Sequence, residues 1–215
     1  MTLLDGGKPV SDHRFIGSDR VALLSHCILN QAARCRWEGG GASREGGMLG
    51  DVVEALLRHG VGAVQMDCPE FGLYGNPRAP RTKDGYDTPE FKERCREIAE
   101  RACDTMERCL GVGGAEIGVV AVVGVEGSPS CGVRRVHRAE GGEAVSRPGR
   151  GHLMDALEAE MRRRGLDVPM ISVGLGAGER EEGLRTLEAL CAGASQASEP
   201  AGRPRGVEEG SGRMG

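Results

Sequence analysis

Alternating strand-like and helix-like segments predict an α/β fold for this chain. The apolar run at 117–125 is rich in valine and free of charge, which is typical of a strand buried on both faces of a parallel sheet. Two similar apolar runs end in Cys27 and Cys68, and Cys131 follows shortly after the run at 117–125. The 215 residues suit a single domain of ordinary size. We therefore expect one parallel, Rossmann-like sheet flanked by helices, with cysteines at the carboxyl ends of its strands.

Four strands and four helices are predicted in order along the chain. Thr88 is placed to cap the helix that begins with Pro89, and Gly60 and Gly165 are placed to end two other helices. This alternation predicts right-handed crossovers between parallel strands. The strands are apolar runs at 20–26, 61–67, 117–125 and 168–173. The helices have apolar residues at helical spacing and cover 48–58, 89–110, 151–164 and 179–192.

The remaining segments are predicted to be loops or tails. The segment 30–46 is expected to be a loop, and so is 69–87, which holds three prolines and has the length of a functional loop. The segment 127–151 is expected to contain a hairpin, with strands at 134–139 and 144–147 around Gly141-Gly142. We expect a mobile leader at 1–19, a folded domain at 20–192 and a disordered, Gly/Ser/Pro-rich tail at 193–215.

Composition excludes several classes of protein. The net charge of −4 and the 3% of aromatic residues do not favour binding to nucleic acid. The amino terminus does not resemble a signal peptide, and no apolar run is long enough for a membrane span, so we expect a cytoplasmic protein without a membrane partner. No Gly-x-Gly-x-x-Gly pattern follows the first strand, and no Walker-type loop occurs, which argues against a nucleotide cofactor.

Three of the eight cysteines, Cys27, Cys68 and Cys131, follow predicted strands. Since the carboxyl ends of parallel strands meet at one edge of the sheet, these thiols are expected to converge on one crevice. Thiolates are soft ligands that suit iron–sulfur clusters, zinc or copper(I). A cubane cluster normally takes four protein thiolates, so three would leave one iron open. On the residues alone, buried structural thiols explain the same positions about equally well.

The other five cysteines have a simpler interpretation. Cys95, Cys103 and Cys109 share one predicted helix and Cys191 lies in the last one, and all four are expected to pack in the core. Cys35 lies in the predicted loop after the first strand, where it is either an exposed thiol or a substitute ligand.

Three short motifs resemble the signatures of the thiouracil desulfurase (TudS-like desulfidase) family. They are Ser25-His-Cys-Ile-Leu-Asn30, Cys68-Pro-Glu70 and Ser128-Pro-Ser-Cys-Gly132, and they occur in the family's order. Pro77-Arg78 is also similar to a family feature, while Tyr86-Asp-Thr-Pro89 and the Ser-His-Cys form are more similar to a related desulfidase branch. The chain departs from the thiouracil enzymes at His26 and in the displaced run Cys35-Arg-Trp-Glu-Gly39.

The resemblance implies a 4Fe–4S cluster held by Cys27, Cys68 and Cys131, with one open iron that binds the sulfur of a thiolated base such as 2-thiouracil. It implies a non-redox replacement of C=S by C=O that uses water and releases sulfide. Glu70 and a serine, either Ser128 or Ser130, would serve the chemistry. Residues 20–192 would form the desulfidase-like domain. We expect the substrate to be bound by His26, Asn30 and Arg78.

Two other functions use the same thiols. A three-cysteine cluster with an open iron also suits dehydration of a hydroxyacyl substrate, as in the 2-hydroxyacyl-CoA dehydratases. A non-enzymatic module that carries sulfur, senses redox state or binds zinc is the other alternative. Both enzymes would act on a small molecule, which is a thiolated compound for the desulfidase. The sequence also allows a homodimer.

Overall fold

The structure is a computed structural model that describes residues 19–38, 40–41, 46–111, 117–175 and 177–196. Most of the expected leader (1–19) and of the expected tail (193–215) lies outside these residues. Within the described part of the chain, no helix combines the length and apolar character that crossing a membrane requires. The helices and strands follow in chain order: β1 (Arg20–Ser25), α1 (His26–Leu29), β2 (Arg36–Trp37), β3 (Gly40–Gly41), α2 (Gly50–Arg58), β4 (Gly62–Met66), α3 (Pro69–Tyr74), α4 (Pro89–Gly111), β5 (Gly118–Val125), β6 (Arg135–Glu140), β7 (Glu143–Pro148), α5 (His152–Arg164), β8 (Met170–Val173) and α6 (Ala177–Gln196).

Four parallel strands form the central sheet in the order β4-β1-β5-β8, which confirms the predicted α/β class. Leu23 of β1 pairs with Val64 on one side and Val122 on the other, so β1 lies inside the sheet. The chain leaves β1 toward β4 and later returns to β5 on the opposite side of β1. Such a reversal opens a crevice at the carboxyl ends of the two central strands, where ligands of open α/β sheets bind.

Burial along the strands and helices explains why the segments fold this way. The valine-rich strand β5 is buried from Val120 to its end, whereas β4 at the sheet edge is largely exposed. Helix α4 packs against α5, and α2 packs against α6, and these two pairs flank the sheet. Thr88 caps α4 as predicted, since its Oγ1 accepts a hydrogen bond from the Phe91 amide at 3.2 Å.

Three segments differ from the prediction. The predicted loop at 69–87 begins with α3, in which Pro69 occupies the first turn and the Cys68 sulfur accepts a hydrogen bond from the Phe71 amide at 3.4 Å. A proline that suggests a break in the chain is compatible with the first helical position, where its missing N–H is not needed. The predicted loop at 30–46 holds a 3₁₀ turn at Gln31–Ala33 and the short β2-β3 pair. Helix α6 continues to Gln196, past the predicted start of the tail at 193.

Candidate functional site

Cys27, Cys68 and Cys131 all line one cavity of about 410 Å³ at the carboxyl edge of the sheet. Cys27 lies in α1 directly after β1, Cys68 precedes α3 after β4, and Cys131 lies in the turn after β5. The cavity has the size of an ordinary small-molecule site. The predicted convergence of the three thiols is therefore present in the structure.

The three thiols are close enough to influence one another. Cys27 donates a hydrogen bond to the Cys131 sulfur, and this bond together with burial raises the pKa of Cys27 well above its usual range. The same bond, supported by the Ser128 hydroxyl, outweighs burial and lowers the pKa of Cys131 to about 7. Burial, followed by the charge of Glu70, raises the pKa of Cys68 to about 12. The trio thus contains one sulfur that its neighbours stabilise as a thiolate.

The turn that carries Cys131 is held by close backbone packing. Ser128 Oγ accepts hydrogen bonds from the Cys131 amide at 3.1 Å and from the Ser130 amide at 3.3 Å. A Cβ on Gly124 would lie 2.1 Å from the Cys131 carbonyl oxygen, and a Cβ on Gly151 would lie 2.3 Å from the Ser130 carbonyl oxygen. Both positions need glycine because the backbone of the turn passes directly against them.

Glu70 is fixed beside Cys68 by three side chains. The Ser130 hydroxyl donates a hydrogen bond to Oε1, and the Tyr86 hydroxyl donates one to Oε2 at 3.2 Å. Arg78 Nη2 lies 3.6 Å from Oε2, in an ion pair whose carboxylate and guanidinium side chains are 14% and 8% exposed. The first turn of α3 places this carboxylate at the cavity, where both of its oxygens already have partners.

Most N–H groups of the Arg78 guanidinium donate hydrogen bonds to the protein itself. Its Nη1 donates to the Gly75 carbonyl at 2.9 Å, and its Nη2 donates to the Ala33 carbonyl at 2.9 Å. Its amide also donates to the Arg36 carbonyl, so the segment after α3 is tied to the segment after α1. Arg78 lines the cavity, but its bonds support the wall and the Glu70 carboxylate.

His26 lines the cavity, whereas Asn30 is not among the residues that line it. The His26 ring stacks on Phe71 with a centroid distance of 5.9 Å, and burial lowers its pKa against the opposing charge of Asp67. Asn30 Nδ2 lies 3.3 Å from His26 Nε2, and Asn30 Oδ1 accepts from the Ala32 amide. With the amide in this orientation, Nε2 is the acceptor and Nδ1 carries the proton. The predicted substrate-binding role of Asn30 thus reduces to orienting His26.

The donor set fits an iron–sulfur cluster. Besides the three thiols, His26 Nδ1 is buried and has no hydrogen-bond partner among the described residues, and the buried Ser25 hydroxyl, which helps to lower the pKa of Cys131, lines the same cavity. Hydroxyl and N–H groups of this kind suit the sulfide atoms of a cluster, which accept hydrogen bonds. In the described chain, no three His, Cys, Asp or Glu side chains surround a point as one metal ion requires.

Tyr86 and Glu126 were not predicted as site residues from the sequence. Tyr86 donates a hydrogen bond to Glu70. The Tyr86-Asp-Thr-Pro89 run is the sequence feature that could have pointed to it. Glu126 lines the cavity directly after β5, at the strand-end position by which the cysteines were found. Cys35 lines the cavity too, half-buried. The predicted core cysteines Cys95, Cys103 and Cys191 are buried, and Cys109 is half-buried.

Comparison with known proteins gives two matches. No family model matches the chain. An uncharacterized protein of Methanocaldococcus jannaschii is 27% identical over 171 residues, which cover 80% of this chain and 96% of that protein. Among solved structures, the chain is similar to the [4Fe-4S]-dependent thiouracil desulfidase TudS, with 23% identity, a TM-score of 0.48, and coverage of 79% of this chain and 99% of that one. The match names the family that the motifs resemble, although likeness at this identity and TM-score carries no argument.

Proposed function

We propose that this chain belongs to the thiouracil desulfurase family and is a [4Fe–4S]-dependent desulfidase for a small thiolated nucleobase or related thioamide. The observation that carries this proposal is the meeting of Cys27, Cys68 and Cys131 at one cavity, with the Glu70 carboxylate beside them. The three motifs that contain these residues support the same family.

The three cysteines would hold the cluster, since they supply soft thiolate ligands from three strand ends. When bound, such a cluster supplies an iron without a protein ligand, which acts as a Lewis acid toward sulfur. The overall reaction replaces the sulfur of a C=S group by the oxygen of water. Both hydrogens of that water leave with the sulfur as H₂S, so no electrons are gained or lost.

Glu70 and Ser130 form the proton-handling pair of this proposal. The Ser130 hydroxyl donates to Glu70 Oε1, so a proton can pass between the two without movement of either side chain. Tyr86 and Arg78 hold the other carboxylate oxygen and thereby fix its orientation. Ser130 is 1% exposed, and it forms part of the cavity wall.

Ser128 and His26 are the donors that we assign to the substrate. Ser128 Oγ accepts two backbone hydrogen bonds, which leaves its own hydrogen free to point at a ligand or at Cys131 Sγ, 3.3 Å away. In the described part of the chain His26 Nδ1 is buried without a hydrogen-bond partner, so its N–H can serve the substrate or the cluster at the same cavity. Both groups can stabilise charge that develops on sulfur or oxygen during the exchange.

Anaerobic reconstitution of the full chain tests the proposal. We expect about four irons and four sulfides per chain, the content of one cubane, and release of sulfide from 2-thiouracil with formation of uracil. Binding of coenzyme A thioesters without any effect of thiobases would point to a dehydratase instead. Zinc without iron in protein purified in the absence of oxygen would contradict both enzymes and support the metal-binding module.

A further inference from the structure

Glu126 presents an unused carboxylate oxygen at the cavity. The residue follows β5 directly, lines the cavity, and has a side chain that is 4% exposed. Its Oε2 accepts a hydrogen bond from the Ser172 hydroxyl and lies 3.6 Å from Arg134 Nε. Its Oε1 is buried and has no hydrogen-bond partner among the described residues.

A buried carboxylate oxygen without a donor is unfavourable, because it has lost water and gained nothing in return. Such groups are rare in native proteins, and each calls for an explanation such as a bound ligand, an ordered water or a catalytic role. Glu70, the other carboxylate discussed at this cavity, differs in this respect, since Ser130, Tyr86 and Arg78 occupy its oxygens. Glu126 Oε1 is therefore a buried carboxylate oxygen that is left for a ligand, whereas Asp67 at the same cavity is 54% exposed.

The surroundings of Glu126 indicate what kind of donor it meets. Arg34, Arg78 and Arg81 line the cavity together with Asp67, Glu70 and Glu126, so the formal charges balance and the lining does not call for a charged ligand. A neutral N–H group is the donor that remains for a carboxylate in such a site. Thioamides carry this group on the carbon that bears the sulfur, so one compound can present its sulfur to the thiol trio and its N–H to Glu126.

We propose that Glu126 is the specificity-determining residue of the cavity and that its Oε1 accepts a hydrogen bond from the N–H next to the C=S group. The inference rests on the proposed function and narrows its substrate class to thioamides and thiolactams with a free N–H. Compounds in which every such nitrogen is substituted are poor ligands of this site.

Binding to the reconstituted protein, measured by stopped flow before turnover, tests this assignment. We compare 2-thiouracil with 1,3-dimethyl-2-thiouracil, which lacks both N–H groups, in the wild type and in Glu126→Gln. The wild type should bind 2-thiouracil about 10- to 100-fold more tightly, as expected for one hydrogen bond to a charged acceptor. In Glu126→Gln this ratio should fall to about threefold or less, because a neutral amide replaces the charged acceptor.

Glu182→Gln is the matched control. Glu182 also pairs with Arg134, but its side chain is 55% exposed and it is not among the residues that line the cavity. This variant should keep the wild-type ratio. If Glu126→Gln loses iron or stability, Glu126→Asp provides the same test, because it keeps the charge and withdraws the oxygen from the ligand.

The possible outcomes separate this inference from the proposed function. Sulfide release from 2-thiouracil together with equal binding of the dimethyl compound overturns the inference alone. An unchanged ratio in Glu126→Gln and Glu126→Asp with full iron content also overturns it, since the discrimination would then be steric. Absence of both binding and sulfide release in the iron-loaded wild type would overturn the proposed function and the inference together.

Discussion

Cys131 and the cysteines buried in the helices experience opposite surroundings. In the helices, burial raises the pKa of Cys95 to about 12 and that of Cys103 to about 11, and it also raises the pKa of Cys191. Cys131 is also buried, yet donors from Cys27 and Ser128 lower its pKa to about 7. The pKa values of Cys27 and Cys68 at the cavity are raised as well. Burial therefore keeps a thiol protonated in both places, and it is the hydrogen-bond donors aimed at Cys131 that prepare this one sulfur as a thiolate.

The comparison shows that position in the fold matters more than residue type. Cys95 and Cys103 face the core from α4, among apolar neighbours that offer them few donors. Cys27, Cys68 and Cys131 lie where backbone amides, hydroxyls and a carboxylate come together at the sheet edge. The four predictions that follow test this difference, from the largest expected effect to the smallest.

Exchange of a strand-end cysteine should have the largest effect. Cys131→Ser, and likewise Cys27→Ser or Cys68→Ser, should remove bound iron and reduce sulfide release to background, because each takes away one proposed cluster ligand. Cys103→Ser, buried in α4, should keep its iron while losing roughly 1–3 kcal/mol of stability through a buried hydroxyl. Iron analysis and thermal unfolding distinguish the two sets. Full iron content in Cys131→Ser would show that this strand-end cysteine differs from the helix cysteines in no way that matters for iron binding.

Displacement of the Cys131 backbone should have the second-largest effect. In Gly124→Ala, a Cβ 2.1 Å from the Cys131 carbonyl forces the turn to move, which should cost about 1–3 kcal/mol of folding free energy and lower the iron content. Gly178→Ala is the control, because a Cβ there meets nothing within 4 Å, and it should change stability by less than about 1 kcal/mol. Urea unfolding under reducing conditions gives both values. Equal stability of the two variants would show that the turn is not held by this contact.

Loss of one hydrogen bond to Glu70 should affect turnover more than assembly. Tyr86→Phe removes the hydroxyl that holds Oε2, and a loss of about 1.4 kcal/mol corresponds to a roughly tenfold slower sulfide release. Iron content should stay the same. The control is Tyr74→Phe, since the Tyr74 ring stacks on Tyr86 with a centroid distance of 5.8 Å and on Phe91 with one of 6.3 Å, and the change keeps the ring. Similar rates in the two variants would mean that Glu70 does not depend on this bond.

A change at the start of α4 should have the smallest effect. Thr88→Ala removes the side chain that caps the helix carrying Cys95 and Cys103, which should cost about 1 kcal/mol of stability. Iron content and sulfide release should not change, because the strand-end thiols belong to other segments. Thr105→Ala, at a half-buried site within α4, should cost less than Thr88→Ala, because alanine favours the helix interior. A loss of iron in Thr88→Ala would show that the two cysteine sets depend on each other.

The central sheet could be predicted from the sequence because its strands are short apolar runs that end in turns. The run 117–125 corresponds to β5, and the hairpin around Gly141-Gly142 is present as β6 and β7. Helix α3 could not be predicted, since its six residues are too few to show helical periodicity and begin with Pro69. Local patterns therefore identified the long or fully buried segments and missed the short ones.

The thiols of the candidate site could be predicted for a topological reason, and their partners could not. Parallel strands bring their carboxyl ends together whatever lies between them, so the positions of Cys27, Cys68 and Cys131 follow from the strand pattern. The bond from Tyr86 to Glu70 and the inward use of Arg78 depend on how separate loops pack. Glu126 resembled an ordinary charged residue after a strand until its burial was known.

The separation of the three cysteines along the chain fixes an order of assembly. Each belongs to a different strand–helix junction, and no short peptide of this protein contains two of them. Zinc-finger peptides wrap around their metal as they fold, because their ligands are neighbours in sequence. Here the sheet has to form first, so a cofactor held by all three sulfur atoms must be delivered to a finished fold through the mouth of the cavity.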